Sequence, residues 1–421
     1  MLNRNSPAAI ALLVGFSLTA HAAEHSETPH FVAETFTANK TNYAPRWLEN
    51  DFVNGWGIAI RPAGAGGHFW ITAKDVSYEY VGDVRQSPEA LLRSMHTDAL
   101  KYVKLPVGGG DKFATGVVFS DSTEHFVISQ TVPDTEQITA PAKFLFASDG
   151  GIVSAWTERK KTDGSFDRSG EALKVIDQSA IGAQFFGLAL NAAYDRLYVA
   201  DFGAAPAIKV FDGKFQPLPL AFDQPFDTNK NGKVDAGEYA PFNIQLLPVN
   251  EGETDAARKP HLFVTYAKTQ KCPKAAQAEK VCAKNALWPG EEDTSEPGSG
   301  RVAEFTEDGK LVAVWPDAGK LSAPWGVVFA PASWGKLGGA LIVGNFGDGT
   351  ISAYDGATRQ FIDVLRDGKG KPVIIDKIWG ILFGNGESLG DKDALYFAAG
   401  PDDEKDGVFG VLRPLTAAKV D

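Results

Sequence analysis

The chain has 421 residues, among them 44 glycines and 24 prolines, with 44% hydrophobic residues and a formal charge of −12. That charge argues against nucleic acid or an anionic membrane surface as a partner. The lysine-rich piece around Lys271, Lys274 and Lys280 holds no aromatic residue and reads as a solvated loop. So many turn formers favour a large all-β protein of short strands over a helical one.

Residues 1–22, MLNRNSPAAIALLVGFSLTAHA, carry Arg4, the apolar run Ala8 to Leu18 and the small-x-small end Ala20-His21-Ala22. This pattern is a secretory signal, too short for a membrane span, and nothing of comparable hydrophobic length follows. Cleavage after Ala22 leaves residues 23–421 as one periplasmic or secreted domain with no membrane span, expected to be monomeric. FVAETF (Phe31 to Phe36) then reads as a first strand.

A repeat begins at Trp56-Gly57-Ile58-Ala59 and returns at Thr115-Gly116-Val117-Val118, Phe186-Gly187-Leu188-Ala189, Phe242-Asn243-Ile244, Trp325-Gly326-Val327-Val328 and Trp379-Gly380-Ile381-Leu382. Marker spacings are 59, 71, 56, 83 and 54 residues. Asn243 in the Gly position points to a backbone of positive φ, where Asn best replaces Gly. Second runs such as HFWITAK (68–74), LYVADFG (197–203), HLFVTYAK (261–268), LIVGNFG (341–347) and LYFAAG (395–400) end in turns, and third runs such as GIVSAW (151–156) and TISAYD (350–355) follow. Each is short, β-branched or aromatic, and bounded by Gly, Asp or Asn. Ser87 to Leu100, with Pro88 near its start, is the best short helix or turn candidate. Small sheets that cannot bury their own faces close radially, so six markers predict a six-bladed β-propeller of four-stranded blades. Phe31 to Phe36 is expected to supply the outer strand of the last blade. The rival arrangement, two β-sandwich domains, should not spread one signature over the full length.

The segments APWGVVFAPASWGKLGGALIVGNFGDGTISAYDG (323–356), IDKIWGILFGNG (375–386) and LYFAAGPDDEKDGVFGVL (395–412) resemble a family of exported bacterial propellers of unknown function, related in fold to NHL-repeat and gluconolactonase/regucalcin-like propellers. The resemblance implies fold and export. It hands over no catalytic residue, because that family has no assigned chemistry.

DTNKNGKVDAGE, residues 227–238, satisfies D-x-[DN]-x-[DN]-G-x5-E in full. Asp227, Asn229, Asn231, the Lys233 carbonyl, Asp235 and Glu238 offer hard oxygens to Ca2+, and Gly232 makes the sharp turn. Pro217, Pro219 and Pro225 upstream exclude an entering helix, so this is a lone, EF-hand-like loop inserted at a propeller edge. A plain Asn-Gly turn is the bland reading. Cys272 and Cys282, ten apart, are expected to pair in an oxidising compartment, which stabilises by roughly 3 kcal/mol in the chain-entropy model. The loops 75–112 and 268–300, the latter stapled by that disulfide, are the candidate contact surfaces.

Catalytic motifs are sparse: there is no H-E-x-x-H and no P-loop. His25 and His30 fall near the new N-terminus, His96 in the helix candidate, and His68, His125 and His261 beside strand starts, where packing is the simplest role. Asp149, Asp201 and Asn345 occupy matching places and read as turn formers, with a channel metal site as the alternative. Trp56, Phe186, Trp325 and Trp379 could stack on a ring-bearing ligand near the channel mouth, or pack between blades. Two functions remain open: a module binding a small molecule or protein at that mouth, or a calcium-dependent hydrolase or lactonase with a metal in the channel. The calcium loop predicts that the protein melts at a higher temperature in calcium than in chelator, and that Glu238→Gln removes the gain. Superimposable melting curves in the two buffers would dispose of it.

Overall fold

A computed structural model describes residues 28–132, 137–248, 260–294, 296 and 298–415. Residues 1–22, expected from the sequence to be a secretory signal, lie outside the described residues.

Blade 1 pairs Gly55–Ala59, Phe69–Ala73, Val76–Val81 and His96–Lys104 in an antiparallel meander. Blade 2 pairs Ala114–Phe119, Phe144–Ser148, Ile152–Trp156 and Leu173–Asp177, and throws out two hairpins, one of them Glu158–Lys160 with Phe166–Arg168. Blade 3 has Phe185–Leu190, Arg196–Asp201 and Ala207–Asp212. Blade 4 has Tyr239–Leu247, His261–Lys271, Gly300–Phe305 and Leu311–Trp315, and blade 5 has Pro324–Phe329, Leu341–Asn345, Ile351–Tyr354 and Phe361–Val364. Ile378–Phe383, Leu395–Ala399 and Val408–Pro414 form blade 6, and His30–Ala38 completes it, with Val32 opposite Arg413 and Ala38 opposite Val408. The protein is therefore a six-bladed propeller closed by its N-terminal strand. That strand is bolted down by Asp406, 1% exposed, which takes Asn39 Nδ2 at 3.0 Å, the Tyr43 hydroxyl at 2.7 Å and Lys40 Nζ at 2.8 Å.

Blade 3 departs from four strands for a reason visible in its sequence. Pro217 and Pro219 follow its third strand, and a proline has no N–H for the ladder. Only Leu218 donates across, to the Val210 carbonyl at 2.8 Å. The short helix or turn expected within 87–100 is a single 3-10 turn, Ala90–Arg93, and the later part of that span belongs to the outer strand His96–Lys104. HTDALKYVK alternates in burial with period two along much of its length, and that pattern fits the pleat of an edge strand rather than a helical face.

Burial divides cleanly. Six apolar clusters lie between consecutive blades, for instance Trp70 and Val103 of blade 1 against Phe144, Phe146 and Trp156 of blade 2. A seventh lies on the axis. The repeat markers explain how the inner strands come so close. A Cβ on Gly57 would stand 2.6 Å from the Thr115 carbonyl, one on Gly116 3.1 Å from Gly187 Cα, one on Gly326 2.6 Å from the Trp379 carbonyl, and one on Gly380 2.6 Å from the Trp56 carbonyl. Each marker thus abuts the next blade, all the way round. None of these glycines has a positive φ, nor does Asn243. The requirement is space rather than a left-handed backbone, which corrects the reading of the fourth copy. Asn243 is tolerated because its side chain bridges instead, donating to the Trp325 carbonyl at 2.9 Å. Gly326→Ala should therefore destabilise the fold by about 1–3 kcal/mol, as overpacking of a tight site does, in a urea unfolding curve. An unchanged midpoint would mean the ring tolerates a methyl and is not tight.

Candidate functional site

The axis is built from the inner strand of each blade, and the residue before each marker decides what fills it. Trp56, Phe186, Phe242, Trp325 and Trp379 turn inward and meet one another, with Phe202 and Phe346 from the strand-end turns. Trp56 stacks on Trp379 at 3.8 Å, Phe346 stacks on Trp379 at 4.0 Å, and Phe186 lies 5.3 Å from Trp56 and 5.4 Å from Phe242. The four aromatics singled out from the sequence are thus gathered into one cluster, each at most 4% exposed. They form a plug across one end of the channel.

Beyond the ring of markers the channel opens towards the other face as a blind funnel of about 390 Å3. Its walls are largely apolar, with Ile60, Val118, Leu188 and Leu382, and its polar groups include Arg61, Asn191 and Gln245. Trp325 borders this space; Trp56, Phe186 and Trp379 do not. Gln245 is held in place by accepting from the Val327 N–H at 2.9 Å.

The plugged end carries a crown of ionisable groups. The Trp379 indole donates to Asn54 Oδ1 at 2.9 Å, and Asn54 Nδ2 donates to Glu404 Oε1 at 2.8 Å. The hairpin strand Leu287–Glu292 pairs with the end of His261–Lys271 and crosses the plug, its Gly290 N–H reaching the Phe202 carbonyl at 3.0 Å. Burial pushes the Glu292 carboxyl up to about 8, with neighbouring Glu404 and Glu291 adding to it. Burial likewise raises Glu404, and lifts Asp149 to about 6 against the pull of Lys112. Asp149, Asp201 and Asn345 act as ties: they accept from the N–H groups of Phe113 at 2.7 Å, Gln184 at 2.9 Å and Ser322 at 3.1 Å. Each thereby pins a strand-end turn to the loop that enters the same blade's inner strand.

The loop 227–238 sits at this end too, with Val234 packed against the aromatic plug. No helix enters it, and it runs straight into the inner strand of blade 4. Asp227 accepts from the N–H of Asn231 at 3.3 Å and of Gly232 at 2.8 Å, and Gly232 has φ 77°. Glu238 accepts from the N–H of Asp235 at 3.0 Å and of Thr228 at 3.1 Å. Asp235 Oδ2 takes the amides of Asn229 at 2.8 Å and Asn231 at 2.7 Å, and these bonds hold its carboxyl below the usual range. The amides at positions 3 and 5 converge on the carboxylate at 9, while the carboxylates at 1, 9 and 12 do not all lie within 4.8 Å of one another; by residue type the set offers the hard oxygens that suit a hard cation. The Lys233 ammonium lies 3.6 Å from Asp235 Oδ1. Cys272 and Cys282 are bonded, bracketing the short helix Lys274–Ala278.

Sequence reading missed a second polar site, between blades 1 and 2. His68, Glu79 and Asp98 are the one trio of His, Cys, Asp or Glu ligand atoms, among the described residues, lying within 4.8 Å of one another. The His68 ring is held between Glu79 (Nδ1 to Oε2, 3.1 Å) and Asp98 (Nε2 to Oδ2, 2.9 Å), and Arg168 reaches Asp98 at 2.6 Å and Glu158 at 2.9 Å. His261 similarly pairs with Glu304 at 2.6 Å. His68 is buried and His261 half-buried, and each lies against carboxylates rather than being held by packing alone. The available signal was Glu79 itself, a lone charge inside the strand VSYEYV.

No protein-family model matches the chain. Two uncharacterised proteins of Acanthamoeba polyphaga mimivirus are similar to it: one is 27% identical over 379 residues, covering 89% of this chain and 78% of that protein, the other 26% identical over 385 residues, covering 90% and 84%. These relatives are viral, whereas the sequence motifs suggested a bacterial family. Among solved structures, the soluble aldose sugar dehydrogenase of Escherichia coli aligns at a TM-score of 0.42 and 12% identity, covering 91% of this chain and 100% of that one. The Dos1 propeller aligns at a TM-score of 0.38 and 10% identity, covering 87% and 69%. The fold assignment rests on the strand pairing described above. Among the described residues no helix is long and apolar enough to cross a membrane.

Glu79 is fully buried; His68 Nδ1 approaches its Oε2 at 3.1 Å but without hydrogen-bond geometry, so neither carboxylate oxygen makes a hydrogen bond among the described residues. Burial raises its pKa from 4.5 to about 9, more than Arg168 and Arg61 lower it. A carboxyl raised in the folded state favours folding below its unfolded pKa, and that contribution is lost as pH climbs through the folded value. Stability should therefore fall between about pH 5 and 9, with a slope of up to about 1.4 kcal/mol per pH unit for one proton. Glu79→Gln should flatten that slope in chemical denaturation series; an identical slope in wild type and variant would show that Glu79 is ionised throughout.

Proposed function

We propose that the protein is an exported propeller that binds an elongated, mainly apolar ligand end-on in the axial funnel, and that its opposite end is fastened by calcium in the loop 227–238. The observation that carries this reading is the blindness of the channel. Seven aromatic side chains close one end, so the remaining hollow of about 390 Å3 is a pocket rather than a pore. Its apolar walls with a few fixed polar groups have the make-up of a small-molecule site. The place on the axis where a hydrolase or lactonase of this architecture would hold a metal is taken up by indole and phenyl rings, which weighs against that alternative.

Calcium would be held by Asp227, Asn229, Asn231, the Lys233 carbonyl, Asp235 and Glu238. Lone loops of this kind suit millimolar calcium outside the cytoplasm, in keeping with the secretory signal. At a tenfold excess over Kd, such an ion stabilises by about 1.4 kcal/mol. Because Val234 joins the loop to the plug, that stabilisation acts on the sealed end of the axis.

Anilinonaphthalene sulfonate is a suitable probe of the funnel. One saturable site per chain is expected, lost in Val118→Trp and in Ile60→Trp, both of which fill the walls. Binding that survives both substitutions in folded protein places the probe elsewhere and overturns the reading. Elemental analysis separates the two functional classes: one calcium per chain, absent in Glu238→Gln, is expected of the binding module. A second tightly held ion that persists in that variant, with turnover of a lactone or ester, would mark the enzyme.

A further inference from the structure

Beside the calcium loop lies a second cavity, of about 190 Å3, which belongs neither to the funnel nor to the plug. Four parts of the chain enclose it. The proline-rich strap contributes Phe222 and Phe226, the edge of blade 3 contributes Ala207 and Ile208, and blade 4 contributes Tyr239 and Tyr266. Asp227, Val234 and Glu238 of the loop form the remaining wall. The rings are set edge to face: Phe226 lies 4.8 Å from Tyr266 at 75° and 5.9 Å from Tyr239 at 60°. Such walls offer both faces and edges to another ring.

Volume limits the occupant. An apolar cavity of about 150 Å3 takes up benzene, so 190 Å3 admits a single ring with a small substituent and little more. One polar contact is also available. Tyr266 is 6% exposed, its hydroxyl has no hydrogen-bond partner among the described residues, and burial alone raises its pKa. The hydroxyl keeps some contact with solvent, so it is open to a ligand, and a phenol can both donate and accept.

We propose that this cavity binds a single-ring aromatic molecule bearing one hydrogen-bonding substituent, which pairs with the Tyr266 hydroxyl, and that its occupancy is coupled to calcium. The coupling rests on the reading of 227–238 as a calcium loop: Asp227 and Glu238 are at once cavity wall and first and last ligands of that loop. Drawing these two carboxylates onto an ion fixes the wall; without it, they hold only backbone N–H groups and Thr228. By linkage, ring and calcium then raise each other's affinity by the same factor.

The test uses para-cresol as probe, followed by calorimetry and ligand-observed NMR on the whole chain. In calcium, one para-cresol should bind per chain, several-fold more weakly in chelator. Ala207→Phe should abolish binding by filling the cavity, and Tyr266→Phe should weaken it five- to tenfold while leaving the melting response to calcium in place. No binding by wild type in calcium overturns the site, as does undiminished binding by folded Ala207→Phe. Equal binding in calcium and chelator, by protein whose melting does respond to calcium, overturns the coupling. If melting ignores calcium the loop reading itself fails, and wild type against Ala207→Phe still decides the cavity.

Discussion

Six inner strands have to approach one another around a single axis closely enough to exclude water, and the structure depends on that approach. A Cβ cannot be accommodated where neighbouring strands touch backbone to backbone, as at Gly57 against Thr115 or Gly326 against Trp379. Everything radial follows from this: the blades splay outward with their faces pressed together, and each interface is filled by the side chains of two sheets. Asn243 shows how the rule bends. Where a side chain is present, it must replace the lost contact with a hydrogen bond to the neighbouring strand, and Asn243 does so at the Trp325 carbonyl. Thr265 of the same blade donates to that carbonyl as well, at 3.2 Å.

The two ends of the axis are chemically unlike. At one, aromatic residues fill the core and carboxyl groups crowd above it, their ionisation opposed by burial and by one another. At the other, apolar strands leave an open cup. The insertions of blade 4, the loop 227–238 and the hairpin strand Leu287–Glu292, both gather at the filled end. Gly237 and Glu238 are tied to Thr269, whose hydroxyl accepts from the Gly237 N–H at 2.9 Å and whose N–H donates to the Glu238 carbonyl at 2.8 Å. Thr269 also pairs with Glu292, so both insertions are anchored on the end of His261–Lys271, and the Cys272–Cys282 bond closes the segment that leads from that strand towards the hairpin.

Architecture was legible in the sequence because it repeats. Trp-Gly or Phe-Gly before an apolar run marks a physical necessity, and five glycines and one asparagine in register revealed the blade count and the placement of Phe31 to Phe36. The loop 227–238 was legible because its chemistry is local, with every oxygen within twelve residues. What could not be read were relations between distant segments. Nothing in the neighbourhood of His68 announces Glu79, Asp98 and Arg168: strand pairing within blade 1 brings the first two beside it, and a hairpin of blade 2 adds Arg168. The role of the tryptophans was ambiguous for a similar reason: an aromatic at the start of an inner strand can face a ligand or its own counterparts across the axis, and the diameter of the ring decides. Ser87 to Leu100 was legible only in part, because Pro88 and Leu91-Leu92 suggest a helix or turn, while the alternation that makes an edge strand begins only at His96.

The sixth blade draws its outermost strand from residues 30–38 and the other three from residues 378–414. The ring therefore cannot be completed until the earliest and latest parts of the chain have met. During synthesis, five sheets can assemble in order while His30–Ala38 waits without a neighbour to pair with, and the last-made sheet arrives with a bare flank. Closure of so long a loop is slow, and an unpaired flank in the meantime invites the strand of another molecule. Two chains at high local concentration could trade first strands, producing an interlocked pair whose every blade is native in detail.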